Sequence, residues 1–161
     1  MKCALALPLL FLAACAPPAD PAREPAPAPV TEAQMEMMLH DGVNLYRAGR
    51  ALPPLAFDEV IAAEARRHSR DMAEGRVPFG HAGYPERTES IRLRSFGGEL
   101  GDAAENVGHT DFTPGTAVAA LLDGFVRSPG HRENLEGAFA RTGIGVARSG
   151  GTYFVTQIFA R

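Results

Sequence analysis

Cysteine and lysine are nearly absent from this 161-residue chain. Both cysteines, Cys3 and Cys15, lie near the start, so the rest of the chain has no disulfide and its hydrophobic core must stabilise it alone. The single lysine is Lys2, the other basic residues are scattered arginines, and the formal net charge is −3. Because no basic run or patch is present, we expect no nucleic-acid partner.

The first residues have the pattern of a bacterial lipoprotein signal. Lys2 precedes an apolar run over residues 4–14, which is too short to span a bilayer, and Cys15 ends a Leu-Ala-Ala-Cys lipobox. We therefore expect residues 1–14 to be removed and Cys15 to carry a lipid that anchors the protein to a membrane. The alternative is a plain signal peptide that ends near Ala14 and leaves an incidental thiol.

Residues 15–30 form a tether that is rich in proline and alanine and holds six of the 13 prolines. Such a segment favours extended polyproline II and cannot form a core. Ala16 stands where aspartate is associated with inner-membrane retention, so we expect an extracytoplasmic protein in the outer membrane, facing the periplasm or the cell surface. The folded domain is then residues 31–161, enough for one sizeable core.

Capping residues followed by apolar residues at helical spacing predict four helices, with starts at Thr31, Asp58, Thr113 and Ser128. Alternating β-branched and aromatic residues predict strands at 142–147 and 152–159, joined as a hairpin, and residues 104–108 resemble a short strand. Helices come first, antiparallel strands come last, and no βαβ alternation is present. This order predicts an α+β fold.

The segment between the second and third predicted helices, residues 77–110, is irregular and rich in glycine. Long loops in a compact domain are often functional. His81 lies in this segment directly after Phe79-Gly80. His68 lies on the apolar face of the preceding helix, and we expect a core histidine with one hydrogen bond rather than a ligand.

The segment from Ser128 to Asn134 combines a helix start with a histidine. Ser128 suits the N-cap and Pro129 suits the first helical position, which places His131 in the first turn. The positive end of the helix dipole disfavours a charged imidazole at that point. A neutral His131 can bind a metal or accept a proton.

Six motifs along the chain occur in an order known from one protein family. They are Asn44-Leu45-Tyr46-Arg47, Ala65-Arg66-Arg67-His68-Ser69, Phe79-Gly80-His81, Glu105-Asn106, Ser128-Pro129-Gly130-His131-Arg132-Glu133-Asn134 and Thr142-Gly143-Ile144-Gly145-Val146. In these motifs, residues 31–161 resemble bacterial members of the CAP superfamily. Its SCP domains include cysteine-rich secretory proteins, antigen 5 and pathogenesis-related proteins. The resemblance implies a secreted or surface location and an α-β-α sandwich with a central antiparallel sheet between helical layers.

The resemblance also implies a cleft with two histidines and two acidic residues, which holds a divalent metal such as zinc in several members. His81, Glu105 and His131 match three of these four positions. The chain departs from the family pattern at three places: Ala104 replaces a glycine, Phe125 a tryptophan, and Ser128 the second acidic residue of animal members.

Two imidazoles and a carboxylate fit an open zinc site. If Glu105 is a ligand, hydrolysis has no assigned general base; if Glu105 is that catalytic base, only His81 and His131 remain as ligands. We expect weak binding of zinc or another divalent metal. The alternative is a hydrogen-bonded polar cluster without metal. His109 and Ser128 are further candidates for the cleft, but no acid is placed to orient His131 for a nucleophile at Ser128.

The incomplete catalytic set and the tether favour a binding module over an enzyme. We expect a monomeric, lipid-anchored domain whose cleft binds a metal, a lipid, a wall fragment or a protein. The alternative is a metal-dependent hydrolase that acts on envelope peptides, glycans or phosphodiesters. A third interpretation, a domain with no role beyond its own stability, fits every residue but makes no prediction.

Overall fold

The computed structural model describes residues 29–161. The signal segment, Cys15 and all but the last two residues of the tether lie outside this part of the chain, so cleavage and lipidation stay predictions. Within residues 29–161, no helix is long and apolar enough to cross a membrane.

Nine elements of regular structure follow one another in this part of the chain. In order they are α1 (Glu32–Ala48), β1 (Ala56–Phe57), α2 (Glu59–Ala73), α3 (Tyr84–Ser95), β2 (Ala103–Thr110), α4 (Pro114–Arg127), α5 (Pro129–Glu136), β3 (Arg141–Ser149) and β4 (Thr152–Ala160). The α+β class predicted from the sequence is confirmed.

The four strands form one sheet in the order β1-β3-β4-β2. Strands β2, β3 and β4 are antiparallel, as predicted, and β3 and β4 form the expected hairpin. The two-residue strand β1 adds a parallel edge, with Ala56 opposite Arg141. This edge forms because the extended chain between Pro53-Pro54 and the cap of α2 runs alongside β3, where Asp58 N–H donates to the Thr142 carbonyl at 2.9 Å.

Helical layers cover both faces of the sheet, so the α-β-α sandwich is confirmed. Alternate residues of β4 divide between two cores, because successive side chains of a strand point to opposite faces. Val155 and Phe159 pack with α1, α4 and α5 in the larger core. Ile158 and Ala160 pack with α2 and α3 in the smaller one.

Helix α2 lies unusually close to β3 because two glycines face it. A Cβ on Gly143 would lie 2.1 Å from the backbone nitrogen of Ala62, and one on Gly145 would lie 2.1 Å from that of Arg66. No side chain fits in such a space. The alternating glycines of the Thr-Gly-Ile-Gly-Val motif therefore set the distance between α2 and the sheet.

Helix starts follow the predicted caps. Thr31 and Gln34 form a complete capping box at α1, and the Asp58 carboxylate accepts from Val60 N–H at 2.9 Å at α2. Ser128 occupies the N-cap of α5 with Pro129 behind it, but its hydroxyl makes no capping hydrogen bond.

The segment 77–110 is more regular than the sequence suggested, because it contains α3 and all of β2. Helix α3 has no visible apolar stripe: its buried residues are Arg87 and Ile91 alone. Because the buried face has one apolar and one charged residue, the sequence shows no hydrophobic periodicity that would predict this helix.

Buried charged groups tie the α1 layer to the rest of the domain. The Glu36 carboxylate accepts from Arg66 on α2 at 2.8 Å and from Val146 N–H on β3 at 3.1 Å. Arg47 is buried and donates to the carbonyl of Leu135 at 2.7 Å, near the end of α5. Arg47 thereby fixes the helix that carries His131.

Candidate functional site

The candidate site lies where the β2 edge of the sheet meets both helical layers. Glu105 is on β2, Arg87 is in the first turn of α3, and His81 is in the loop before α3. His131 comes from the opposite layer, at the third position of α5. Strand β2 ends the sheet, so residues from either layer can approach each other around it.

The Glu105 carboxylate contacts both His81 and Arg87. Oε1 lies 2.8 Å from His81 Nδ1. Arg87 Nη2 donates to Oε1 at 2.8 Å and to Oε2 at 2.7 Å, and Arg87 Nε donates to Oε2 at 3.0 Å. Of the three residues that the family resemblance assigned to one cleft, His81 and Glu105 are in direct contact, and Arg87 is a partner that the sequence did not indicate.

Arg87 and Glu105 are a buried ion pair. Their side chains are 5% and 2% exposed, and Arg87 Nη1 also donates to the Ala82 carbonyl at 2.6 Å. Buried charges require such pairing, since an isolated one loses its hydration without compensation. The negative charge of the cleft is therefore already neutralised by a protein cation.

Among His81, Arg87 and Glu105, His81 is the residue that faces solvent, with a side chain that is 55% exposed. The contact with a carboxylate assigns the proton to Nδ1, because an ionised carboxylate only accepts hydrogen bonds. In the neutral imidazole, Nε2 is then an acceptor.

The backbone next to Glu105 is joined to α5 by two asparagine side chains. Asn106 Nδ2 donates to the His131 carbonyl at 3.0 Å, and Asn134 Nδ2 donates to Asn106 Oδ1 at 2.8 Å. Asn134 Nδ2 also reaches the Glu105 carbonyl at 3.3 Å. These bonds hold the helix that carries His131 against the edge strand.

The His131 ring packs edge-on against Phe125, with 5.1 Å between ring centroids. Burial lowers the pKa of His131 below its ordinary range, and the charge of His81 lowers it further. The direction agrees with the prediction from the helix start, but burial is the larger cause. His131 is therefore neutral at neutral pH and lies within electrostatic range of His81.

Tyr84, the first residue of α3, is a further half-buried neighbour that the sequence did not indicate. Burial raises the pKa of Tyr84 to about 12, with the charges of Glu105 and Asp102 as smaller causes. The phenol is therefore protonated at neutral pH. A signal for both Tyr84 and Arg87 was present in Gly83-Tyr84-Pro85, since proline near a helix start predicts a first turn that includes Arg87.

The remaining candidates lie apart from the His81–Glu105 pair. His109 is in β2 rather than in a loop and packs against Phe79, with ring centroids 4.8 Å apart. Within residues 29–161, the Ser128 hydroxyl has no hydrogen bond to His131. His68 is buried and its Nε2 bonds the Gly80 carbonyl at 2.7 Å, so the prediction of a core histidine is confirmed.

A zinc site with Glu105 as a ligand does not fit these side chains as they stand. In residues 29–161, no three histidine, cysteine or acidic side chains are grouped as metal ligands would be. Arg87 occupies both oxygens of Glu105. Two imidazoles, those of His81 and His131, remain as donors for a metal.

The fold is shared with bacterial secreted proteins. An extracellular protein containing an SCP domain from Bacillus anthracis has 29% identity and a TM-score of 0.65, over 81% of this chain and 41% of that one. A cysteine-rich secretory protein from Staphylococcus aureus has 21% identity and a TM-score of 0.64, over 81% of this chain and 39% of that one. The present chain thus spans about two fifths of the length of these two proteins.

An outer surface protein from Borrelia burgdorferi has a TM-score of 0.66 at 15% identity, over 82% of this chain and 96% of that one. Among curated protein sequences, none matches this chain significantly.

The match to a family of known sequences extends over residues 40–159. That range includes the loop, the strand and the helix that carry His81, Glu105 and His131. The family is described as the cysteine-rich secretory protein family, CAP, and this chain belongs to it.

Proposed function

We propose that this protein is a lipid-anchored, extracytoplasmic CAP domain that acts as a binding module through the cleft formed by His81, Glu105 and His131. The observation that carries the proposal is the pairing of both Glu105 oxygens with Arg87. A carboxylate held in this way is poorly suited to take a proton from water. The extracellular and outer-surface relatives support the location.

When His81 is in its neutral form, the cleft offers a ligand hydrogen-bond acceptors. His81 presents Nε2 to solvent, because Nδ1 is turned to Glu105. His131 is neutral at neutral pH, since burial lowers its pKa. Such a site suits hydroxyl and amide donors, which are abundant in fragments of the bacterial cell wall. A wall fragment is therefore the ligand that we propose.

The hydrolase alternative has one observation in its favour. Glu105 orients the His81 imidazole, as an acid orients the base in hydrolytic triads. However, no nucleophilic hydroxyl in residues 29–161 is hydrogen-bonded to His81. A metal-dependent reaction would also require Glu105 to leave Arg87. These requirements make binding the better-supported function.

We also propose that the cleft binds a divalent metal weakly, as expected from the sequence. Without Glu105, only His81 and His131 can serve as ligands, and zinc sites in proteins ordinarily have three or four. We therefore expect weak and readily exchanged zinc, which occupies the cleft only at high concentration.

The binding function is tested with soluble peptidoglycan fragments and the full chain in detergent. Binding measured by calorimetry should be lost in a His81→Ala/His131→Ala variant and retained in His109→Ala, which removes an imidazole outside the cleft. Equal binding by all three proteins would show that the cleft is not the site. Release of a cleaved product, abolished by His81→Ala, would favour the hydrolase instead.

A further inference from the structure

We infer that Arg87 takes the place of a metal ion in this cleft. Its guanidinium is the resident cation of Glu105 and keeps divalent metals from the carboxylate. The inference rests on the proposed function in that it concerns the same cleft. Its test measures zinc and not the wall fragment, so the two proposals can fail separately.

Both oxygens of Glu105 are already hydrogen-bonded, with Arg87 on each of them. Oε1 receives His81 Nδ1 at 2.8 Å and Arg87 Nη2 at 2.8 Å. Oε2 receives Arg87 Nη2 at 2.7 Å and Nε at 3.0 Å. An ionised carboxylate has about four acceptor positions on its two oxygens. Because three nitrogens already bond both oxygens, a metal must compete with Arg87 and His81 for Glu105.

Arg87 is fixed at a second point besides Glu105. Its side chain is 5% exposed, and its third nitrogen, Nη1, is fixed to the Ala82 carbonyl at 2.6 Å. The guanidinium cannot lose its proton at any ordinary pH. Displacement by a metal would therefore leave a buried positive charge beside a second, divalent one.

This arrangement gives Glu105 a task other than metal binding. Arg87 fixes the plane of the carboxylate, and the carboxylate fixes the His81 ring through Nδ1. The imidazole then offers Nε2 as an acceptor to an uncharged donor. Arg87 is thus a positioning residue that selects ligands with hydroxyl or amide groups over divalent cations.

Zinc titration of the full chain in detergent, after removal of metal with a chelator, tests the inference. Glu105→Gln should weaken zinc binding by about tenfold, because it removes the carboxylate that orients His81 without being a ligand itself. Arg87→Met should bind zinc at least about tenfold more tightly, since it frees the carboxylate. The gain should disappear in Arg87→Met/Glu105→Gln. Arg92→Met, which removes a half-buried arginine of the same helix that does not contact Glu105, is the matched control and should leave zinc affinity unchanged.

Two results would overturn the inference. One is the appearance of bands of a metal-bound Glu105 carboxylate, absent from Glu105→Gln, in the zinc-minus-apo infrared difference spectrum of the native protein, because Glu105 would then be a ligand despite Arg87. The other is a folded Arg87→Met variant without any gain. If Arg87→Met does not fold, the infrared difference spectrum of the native protein alone decides, since absence of metal-bound Glu105 bands supports the inference and their presence refutes it.

Discussion

Breaking the Arg87–Glu105 pair should destabilise the domain far more than breaking a surface ion pair. The two side chains are 5% and 2% exposed and share three hydrogen bonds. Removal of one partner from a buried pair leaves an uncompensated charge and costs about 3–5 kcal/mol. We therefore expect Arg87→Met and Glu105→Gln each to lower the free energy of unfolding by about 3 kcal/mol or more.

The double variant Arg87→Met/Glu105→Gln should recover much of this loss, because it buries no unpaired charge. The expected coupling free energy between the two sites is about 2–4 kcal/mol in a double-mutant cycle. Urea unfolding followed by circular dichroism measures it. Each single variant should also lower the melting temperature by roughly 10 °C.

The exposed pair Arg127–Asp123 on α4 is the matched control for this cycle. Its nitrogen–oxygen distance of 3.0 Å is similar to those at Glu105, but its side chains are 78% and 54% exposed. Its coupling should lie within error of zero. A coupling below about 0.5 kcal/mol for Arg87 and Glu105 would mean that the pair does not exist in solution, and the reasoning about the cleft would fail with it.

Three further predictions concern other parts of the chain. Cys15→Ser should release the protein from membranes, and unchanged sedimentation with the membrane fraction would refute lipid anchoring. Gly145→Ala should destabilise the domain in urea by about 3 kcal/mol, because its Cβ would lie 2.1 Å from the Arg66 nitrogen; a loss below about 1 kcal/mol would mean that α2 can move away. Burial lowers the pKa of His68 and of His131, so below pH of about 6.5 the unfolded chain binds protons that the folded one does not. Stability should therefore fall as the pH drops below that value, and His68→Gln/His131→Gln should flatten the dependence in urea titrations at pH 5 to 7; an unchanged slope would contradict the burial argument.

Local signals in the sequence were sufficient for the elements with good caps and clear periodicity. Thr31 and Gln34 mark the start of α1, and Asp58 marks that of α2, because their hydrogen bonds involve residues two or three positions away. The β3–β4 hairpin was equally local, with a two-residue connection through Gly150, whose φ is +58°.

Local signals of this kind do not predict contacts between residues that are far apart in the sequence. Arg87 lies 18 residues from Glu105, in a helix whose buried face carries one apolar residue. The proline near the helix start indicates that Arg87 lies in the first turn, but no local signal indicates that Arg87, rather than Arg92 or Arg94, pairs with a distant carboxylate. The meeting of His81 with Glu105, 24 residues apart, was predicted from family resemblance, since no periodicity connects them.

Two features of the cleft change its charge in the same direction. The resemblance places two acidic residues in the family's cleft, and this chain has Ser128 at the position of the second. The remaining carboxylate, on Glu105, is paired with Arg87. The loss of one negative charge and the presence of the Arg87 guanidinium leave the carboxylate and the guanidinium of this cleft with no net charge between them. Each change alone would weaken the binding of a divalent cation. Together they make uncharged hydrogen-bonding groups the better ligands, because such groups lose little hydration energy on entering a site without net charge.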